Sequence, residues 1–418
     1  MSNFSLPYGS GNLEFRLPNK FKSDIITPRA VPGVPDPEVA VKAALKNPLE
    51  GINLEGFQGI RSVAIAVNDK TRPVPNHYLL PPILEQLIKM GIKTNGIHII
   101  IATGTHTPMV PEEFDLVLPE EVLSNFCVIS HNCDDTELLQ YLGTTTRNTP
   151  VWANRHFLNA DLRIVVGAIE PHQIQGFSGG VKSAAIGLAN RQTINHNHAM
   201  LFHPDARLGC FAENPARQDV EEIGRMIGVH FALNVILNSG KEIVKVLAGD
   251  PQAVMEKGIP MSCEINQIKT NAPYDLVIAS PGGYPKDINL YQSQKALAHA
   301  SMITRPGGTI ILAAACPEGS ENQTYEAWME GLSTHEEVIH QFKKQEFVVG
   351  PHKAYLIARD ARNKQVLLVS EMKPEHVERM LLTPVADLNT AVDVGVKRLN
   401  PNSRIAIMPR AVSTIPEL

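Results

Sequence analysis

The stretch SVAIAVNDKTRP (residues 62–73) joins a short β-branched run to a polar loop. Such a run, bounded by turn residues and followed along the chain by helix-like segments, is typical of a strand in an α/β layer. In open α/β sheets, ligands bind in the loops beyond the carboxyl ends of the strands. The stretch therefore predicts an α/β fold and a place where a functional site is to be expected.

Similar runs recur and predict largely parallel sheets. Helix-like segments such as LLPPILEQLIKMG and QDVEEIGRMIG separate several of them, which is the alternation that parallel strands need. The other predicted strands are GIHIIIATG (96–104), LRIVVGAI (162–169), VHFALNVIL (229–237), DLVIASPGG (275–283), GGTIILAAAC (307–316), QVLLVS (365–370) and RIAIMP (404–409). We therefore expect two α/β domains with largely parallel sheets and an active-site cleft between them.

The boundary between these domains is predicted near residue 270, where the polar, turn-rich segment NQIKTNAPYD precedes a new strand. Residues 1–270 then form an N-terminal α/β domain and residues 271–400 a C-terminal one. Residues 401–418 either close the second sheet or return to the first.

Composition narrows the class of protein. The 418 residues carry 38 basic and 43 acidic side chains, a formal net charge of −5, with no basic run that suggests nucleic-acid binding. No segment approaches the roughly 18 to 20 apolar residues of a membrane span, and the first residues lack a signal-peptide pattern. We expect a cytoplasmic protein without nucleic-acid or membrane partners. Its five cysteines show no C-x-x-C spacing, so the 15 histidines are the natural reservoir of metal ligands.

Two of the predicted loops carry ionisable side chains next to strand ends. Asp69 and Arg72 follow the first strand, and Arg binds carboxylates or phosphates through two parallel hydrogen bonds. An exposed ion pair in a surface turn is the alternative. His106 follows the next strand and is either a hydrogen-bonding loop residue or a general base.

The segment GFSGGVKS (176–183) resembles a phosphate-binding loop but departs from its spacing, because Val181 separates Gly180 from Lys182. A tight turn with an exposed lysine is the simpler interpretation. His172 precedes this segment at a strand end. His196 and His198 follow it on a predicted helix, where they point to different faces, so at most one of them faces a site.

In the second half, Tyr291 and Lys295 are four residues apart on a predicted helix and share one face, with Gln292 beside them. The glycine-rich segment PGGYPKD precedes this helix and favours a helix N-terminus that faces a site. A solvated first turn is the alternative.

Taken together, these motifs resemble the nickel-pincer-dependent lactate racemase family of 2-hydroxyacid racemases and epimerases. The resemblance spans nearly the whole chain and rests on the segments DKTRP, GTHTP, EPHQIQGFSGGVK, NHNH and YPKDINLYQSQK, in that order. It implies a nickel-pincer nucleotide (pyridinium-3,5-bisthiocarboxylic acid mononucleotide with nickel) tethered to Lys182 and made by cofactor-synthesis proteins. By the same resemblance His198 is the metal ligand, and the residues expected to contact the cofactor are Asp69, Ser178, Gly179 and Gly180.

The resemblance also implies a reaction. Hydride leaves C2 of the substrate for the pyridinium ring, a planar 2-ketoacid forms, and His106 and His172 alternate as acid and base on its two sides. The substrate would be bound by Arg72, Tyr291, Gln292 and Lys295.

Two departures qualify the resemblance. The segment SAAIGLAN follows Lys182 where relatives commonly have a proline-glycine step. The segment GPHKAYLIAR (350–359) carries His352 and Lys353 where lactate-specific relatives place a tryptophan, so we expect this pair to bind a substrate larger or more polar than lactate. Two other functions stay open: a non-catalytic nickel or nucleotide cofactor-binding protein of the same fold, and a metal-dependent hydrolase, although no H-E-x-x-H motif is present.

Overall fold

The computed structural model describes residues 1–321, 323–348 and 350–418. Its strands are β1 (Ser2–Tyr8), β2 (Gly11–Leu17), β3 (Lys22–Ile25), β4 (Val63–Asn68), β5 (Ile97–Ala102), β6 (Cys127–Ser130), β7 (Leu139–Thr144), β8 (Pro150–Asn154), β9 (Leu162–Ala168), β10 (Pro171–His172), β11 (Gly176–Phe177), β12 (Phe231–Leu237), β13 (Ile243–Gly249), β14 (Gln267–Lys269), β15 (Tyr274–Ala279), β16 (Thr304–Ala313), β17 (Gln365–Val369), β18 (Thr383–Pro384), β19 (Arg404–Met408) and β20 (Ile415–Glu417).

The α-helices alternate with these strands, as the sequence predicts. They are α1 (Pro37–Lys46), α2 (Asn76–Lys89), α3 (Glu120–Asn125), α4 (Arg155–Leu158), α5 (Lys182–Ala185), α6 (Arg191–Ala199), α7 (Pro215–Ile227), α8 (Pro251–Asn266), α9 (Leu290–Ile303), α10 (Gln323–Trp328), α11 (His335–Lys344), α12 (Pro351–Ala361), α13 (Pro374–Arg379) and α14 (Leu388–Val396). In the described ranges, none of them has the length and apolar character needed to cross a membrane.

Two compact units make up the chain, and each contains a six-stranded sheet. The first, Ala30–Ile265, has the strand order β13-β12-β9-β4-β5-β6, in which only β13 runs antiparallel to its neighbour. Strand β4 is buried along nearly its whole length because apolar side chains cover both faces of the sheet. The prediction of an α/β fold with largely parallel sheets is confirmed.

The second unit combines Met1–Arg29 with Asn266–Leu418, and its sheet has the order β18-β17-β16-β15-β19-β3, with every pair parallel. Residues 401–418 therefore contribute to the second sheet, since β19 lies between β15 and β3.

The assignment of the first residues to the N-terminal domain differs from the structure. Strand β3 pairs with β19, and the hairpin of β1 and β2 places Leu6 and Phe15 in one cluster with Leu276 and Ile311 of the second sheet. The physical reason is burial: the apolar face of this hairpin is covered by a sheet whose strands lie far along the sequence. The two units also divide between Ile265 and Asn266, slightly before the expected residue 270.

Candidate active site

The polar residues predicted to form a site in the first unit follow three adjacent parallel strands. Strand β4 pairs with β5 on one side and with β9 on the other. Asp69 directly follows β4, His106 follows β5, and His172 follows β9. Because the carboxyl ends of parallel neighbours meet at one edge of a sheet, these loops form one group at that edge.

His106 is held by a buried carboxylate. Its Nδ1 lies 2.6 Å from Oδ2 of Asp69, and Asp69 is only 4% exposed. The other carboxylate oxygen, Oδ1, accepts hydrogen bonds from the backbone N–H and the hydroxyl of Thr71, at 3.1 and 2.7 Å. Both oxygens of Asp69 are thus engaged within this edge of the sheet, and the carboxylate fixes the direction of the imidazole.

The charge state of Asp69 determines the tautomer of His106. Burial by itself raises the pKa of the Asp69 carboxyl, but the hydrogen bonds from His106 and Thr71 and the charges of His106 and Arg72 outweigh it and hold the pKa below its usual value. An ionised carboxylate can only accept, so Nδ1 of His106 carries the proton. In the neutral ring Nε2 is then the basic nitrogen.

His172 is held in the opposite way. It lies on β10, which pairs with β11 in a two-stranded hairpin. Its Nδ1 accepts hydrogen bonds from the backbone N–H groups of Ile174 and Gln175, at 3.3 and 3.2 Å. Since Nδ1 is the acceptor, the neutral ring carries its proton on Nε2.

The glycine-rich segment that begins in β11 is shaped by packing. Gly176 has a φ of +71°, and a Cβ there would lie 1.7 Å from the carbonyl oxygen of Cys210. The buried guanidinium of Arg217 donates hydrogen bonds to the carbonyl oxygens of Phe177 and Gly179, at 3.0 and 3.1 Å. Only glycine fits at position 176, because the carbonyl oxygen of Cys210 lies so close. The hydrogen bonds from Arg217 fix the segment before Lys182 begins α5.

Backbone N–H groups of this segment are largely used within the chain. Ser178 donates to the carbonyl oxygen of Glu170 and Gly180 donates to Oδ1 of Asn234, each at 2.7 Å. The N–H groups of Ser178 and Gly180 are therefore already used within the chain. Contacts of a cofactor with the Ser178 hydroxyl or with Gly179 stay a prediction.

Lys182 is 7% exposed, so the interpretation as an exposed lysine in a turn is wrong. Helix α6 carries the two later histidines on different faces, as expected. His196 is exposed, with Nδ1 2.9 Å from the Thr149 hydroxyl, and His198 is half-buried. Between them Asn197 is fully buried.

The guanidinium of Arg72 is half-buried next to Asp69. Among the residues that the structure describes, it forms no hydrogen bond or ion pair. A partly buried fork of five N–H donors suits a carboxylate or phosphate of a bound molecule. The surface ion pair considered as an alternative is thus not formed.

The second unit brings its predicted residues together on α9 and α12. The side chain of Asn289 caps α9 by accepting from the N–H of Gln292, and Nζ of Lys295 donates to Oε1 of Gln292 at 2.6 Å. The ring of Tyr291 lies 5.8 Å from that of His352 and 4.6 Å from the ammonium of Lys353.

His352 and Lys353 are both buried. The ring of His352 accepts the N–H of Gly350, and the ammonium of Lys353 donates to Oε1 of Gln294 at 3.1 Å. The pair therefore lies beside Tyr291, within the packing between α9 and α12.

Several contacts of the site residues are not predicted by the sequence analysis. The cofactor contact expected of Asp69 stays a prediction, and the hydrogen bond between Asp69 and His106 is a second contact that nothing in the motif DKTRP marks. Gln175 and Asn197 also go unnoticed, although their position inside the motifs EPHQIQGFSGGVK and NHNH is a signal that could have identified them. Within the described residues, no group of three or more His, Cys, Asp or Glu side chains is arranged to hold a metal ion.

Comparison with known families covers both units. Residues 8–209 match the lactate racemase N-terminal domain, and residues 269–416 match the lactate racemase C-terminal domain. The chain is 32% identical over 424 residues to the lactate racemase of Thermoanaerobacterium thermosaccharolyticum, with 99% of each chain covered. It is 28% identical over 382 residues to the lactate racemase of Lactiplantibacillus plantarum, with 90% of each covered.

Solved structures give the same result. The lactate racemase apoprotein of T. thermosaccharolyticum superimposes with a TM-score of 0.94 at 31% identity, and all of both chains is covered. A Thermotoga maritima protein superimposes with a TM-score of 0.70 at 18% identity, over 93% of this chain and 100% of that one, which shows a shared fold.

Proposed function

The chain belongs to the lactate racemase family of isomerases, and from this we propose that it racemises or epimerises a 2-hydroxyacid at C2. The observation that carries the proposal is the pair of Asp69 and His106 at the sheet edge that also carries His172. Inversion through a planar intermediate needs a proton-exchanging group on each of its sides, and this edge offers two histidines for that role.

The residues present fit the nickel-pincer nucleotide implied by the family. Lys182 is buried at the start of a helix behind a rigid glycine-rich segment, and Arg72 offers a guanidinium suited to an anionic group. In the proposal Lys182 holds the nucleotide covalently, His198 binds the nickel, and Ser178, Gly179 and Gly180 line the tether. When bound, the group supplies an electron-poor ring that accepts hydride. Cofactor-synthesis proteins in the cytoplasm would load it.

His106 acts as a base in this mechanism. Its Nε2 takes the proton of the substrate hydroxyl while Nδ1 stays hydrogen-bonded to Asp69. The buried carboxylate stabilises the imidazolium that results, because it faces the new positive charge at 2.6 Å. A positioned base of this kind contributes about 10²- to 10⁴-fold in rate.

His172 serves the opposite side of the planar ketoacid. In the arrangement described, its Nε2–H donates to the substrate oxygen. To carry a second proton, its Nδ1 must first be released by the N–H groups of Ile174 and Gln175, or the ring must turn over. Proton exchange at His172 is thus linked to a movement of the hairpin of β10 and β11.

Substrate binding is assigned to groups of matching charge. Arg72 binds the carboxylate of the 2-hydroxyacid through two parallel hydrogen bonds, and Lys295 binds the hydroxyl or keto oxygen. Gln292 orients the Lys295 ammonium at 2.6 Å, and Tyr291 packs beside them.

The substrate is proposed to be larger or more polar than lactate. His352 and Lys353 support this because they surround Tyr291 with polar, basic groups, and Lys353 lies over the ring face. The matched variants are Lys353→Met, which removes the charge, and Lys353→Arg, which keeps it. We expect Lys353→Met to lose activity on polyhydroxylated or dicarboxylic 2-hydroxyacids more than on lactate. A wild-type protein that prefers lactate over all of these would contradict the assignment.

The decisive experiment compares the wild-type protein with Lys182→Ala, both produced in a host that makes the pincer nucleotide. Intact mass should show the nickel-containing cofactor bound to the wild type alone. Chiral chromatography should show that the loaded wild-type protein racemises a 2-hydroxyacid. An adduct without turnover on any 2-hydroxyacid would favour the cofactor-binding protein. Turnover without an adduct would exclude the proposed cofactor.

A further inference from the structure

A continuous set of hydrogen bonds connects His172 with the helix that carries His198. The backbone N–H of Gln175 donates to Nδ1 of His172 at 3.2 Å, and the side-chain Nε2 of Gln175 donates to Oδ1 of Asn197 at 2.8 Å. His198 directly follows Asn197 on α6. One glutamine thus contacts the imidazole of one proposed site residue and the helix of another.

Asn197 is itself held by hydrogen bonds to α7. Its Nδ2 donates to Oδ2 of Asp219 at 2.9 Å and to the carbonyl oxygen of Ala216 at 2.8 Å, both on α7. Asp219 is fully buried and also accepts the hydroxyls of Thr145 and Thr149. The acceptor that Gln175 uses therefore sits on a rigid, satisfied network, and its orientation is determined because its amide nitrogen is occupied.

Packing alone does not explain a glutamine at position 175. The residue is 0% exposed, and its Oε1 is a buried atom without a hydrogen-bond partner in the described part of the chain. A buried polar atom left unsatisfied destabilises a protein, and an apolar side chain of the same volume would avoid that cost. A positioning function accounts for its presence.

We propose that Gln175 is a positioning residue, which holds His172 in a fixed orientation relative to helix α6 and hence to His198. This inference rests on the proposed function, in that it takes His172 and His198 as members of the site. It assigns to Gln175 the task of holding the turn whose N–H groups face Nδ1 of His172, so that Nε2–H is presented to the substrate oxygen as a hydrogen-bond donor. Without the bond to Asn197, the turn after His172 loses its side-chain link to α6.

The test uses Gln175→Met, which preserves volume and removes the bond to Asn197. The matched control is Gln173→Met in the same turn, where the Nε2 that is lost has no hydrogen-bond partner among the described residues. The probe is the ¹⁵N spectrum of histidine-labelled apoprotein, with the His172 signals assigned through His172→Gln. Because this measurement needs neither cofactor nor turnover, its failure is distinct from failure of the racemase proposal.

We expect His172 to show a single tautomer, protonated on Nε2, in the wild type and in Gln173→Met. In Gln175→Met the signals should average between the two tautomers. In the loaded enzyme, kcat of Gln175→Met should fall about 10-fold with KM little changed, whereas Gln173→Met should match the wild type.

An unchanged His172 spectrum together with an unchanged kcat in folded Gln175→Met would overturn the proposal. Should that variant not fold, the wild-type spectrum decides. A His172 ring protonated on Nδ1 at neutral pH contradicts the assignment, and an unprotonated Nδ1 supports it.

Discussion

His106 and His172 follow the two strands that flank β4, yet opposite kinds of groups hold their Nδ1 atoms. A carboxylate oxygen faces the ring of His106, and two backbone N–H groups face the ring of His172. The first surrounding favours a proton on Nδ1, while the second favours an unprotonated Nδ1. Identical side chains at equivalent strand ends thus begin a turnover as different tautomers of the neutral ring.

Because of this difference, the two directions of the proposed racemisation begin at histidines that offer different groups at Nε2. His106 is ready to accept a proton at Nε2, whereas His172 is ready to donate a hydrogen bond from Nε2. The overall reaction still interconverts both enantiomers, so the asymmetry must appear in the partial reactions.

The largest effect is expected from removing either ring. His106→Gln and His172→Gln should each lower kcat for racemisation by about 10²- to 10⁴-fold. Single-turnover formation of the 2-ketoacid, measured separately from each enantiomer, should persist for one enantiomer in the first variant and for the other in the second. If both variants lose the same enantiomer, the two histidines do not serve opposite faces.

The next effect concerns the carboxylate that distinguishes the two surroundings. Asp69→Asn keeps the shape but removes the charge that fixes Nδ1–H of His106, so kcat should fall by about 10²-fold while the cofactor adduct stays intact. The control is Thr71→Val, which removes the hydroxyl that donates to Oδ1 and lies 3.4 Å from Nδ1 of His106 but keeps the carboxylate, and it should lower kcat far less. Equal losses in the two variants would mean that the loop conformation, and not the charge, matters.

The hairpin that holds His172 can be broken by a single methyl group. Gly176→Ala should lower the free energy of unfolding by about 2 kcal/mol or more, since its Cβ would lie 1.7 Å from the Cys210 carbonyl oxygen. Gly51→Ala is the control, because its φ is also positive, at +65°, but no atom lies within 4 Å of the added carbon. Chemical denaturation should show about 1 kcal/mol for the control. Equal costs would indicate that the hairpin moves aside.

The smallest effect is on acid stability. The folded pKa of Asp69 lies below its unfolded value of about 3.9, so its stabilisation is present above that pH and is lost as the pH falls through the folded pKa. The free energy of unfolding of the wild type should therefore decrease more steeply than that of Asp69→Asn below about pH 4. Urea titrations at a series of acidic pH values measure this. Parallel curves would contradict an ionised Asp69 in the folded state.

Much of this architecture is predictable from sequence because strand signals are local. Every strand expected from a β-branched run is present, and the loops after β4, β5 and β9 carry the expected polar residues. Buried parallel strands read as continuous apolar runs, and the loops after them are the natural site.

The partners of these residues are not predictable in the same way. The pairing of Asp69 with His106 and the contact of Gln175 with Asn197 depend on how strands and helices are placed side by side. Strands β1 and β2 alternate apolar and polar residues, but this pattern does not say which sheet covers them. Only the cluster shared with β15 and β16 shows where they belong. The side-chain contacts and the position of β1 to β3 both depend on tertiary burial, which a local sequence pattern does not contain.

The pairing of β3 with β19 has a consequence for synthesis on the ribosome. Lys22 lies opposite Arg404, so the edge strand emerges long before the strand that it must pair with. The unit Ala30–Ile265 is contiguous and can fold while translation continues. The apolar hairpin in the first 29 residues, by contrast, stays exposed until the strands that cover it have been synthesised. This hairpin is the segment on which a nascent-chain chaperone would be expected to act, and the pairing of strands so far apart in sequence favours late closure of the second sheet.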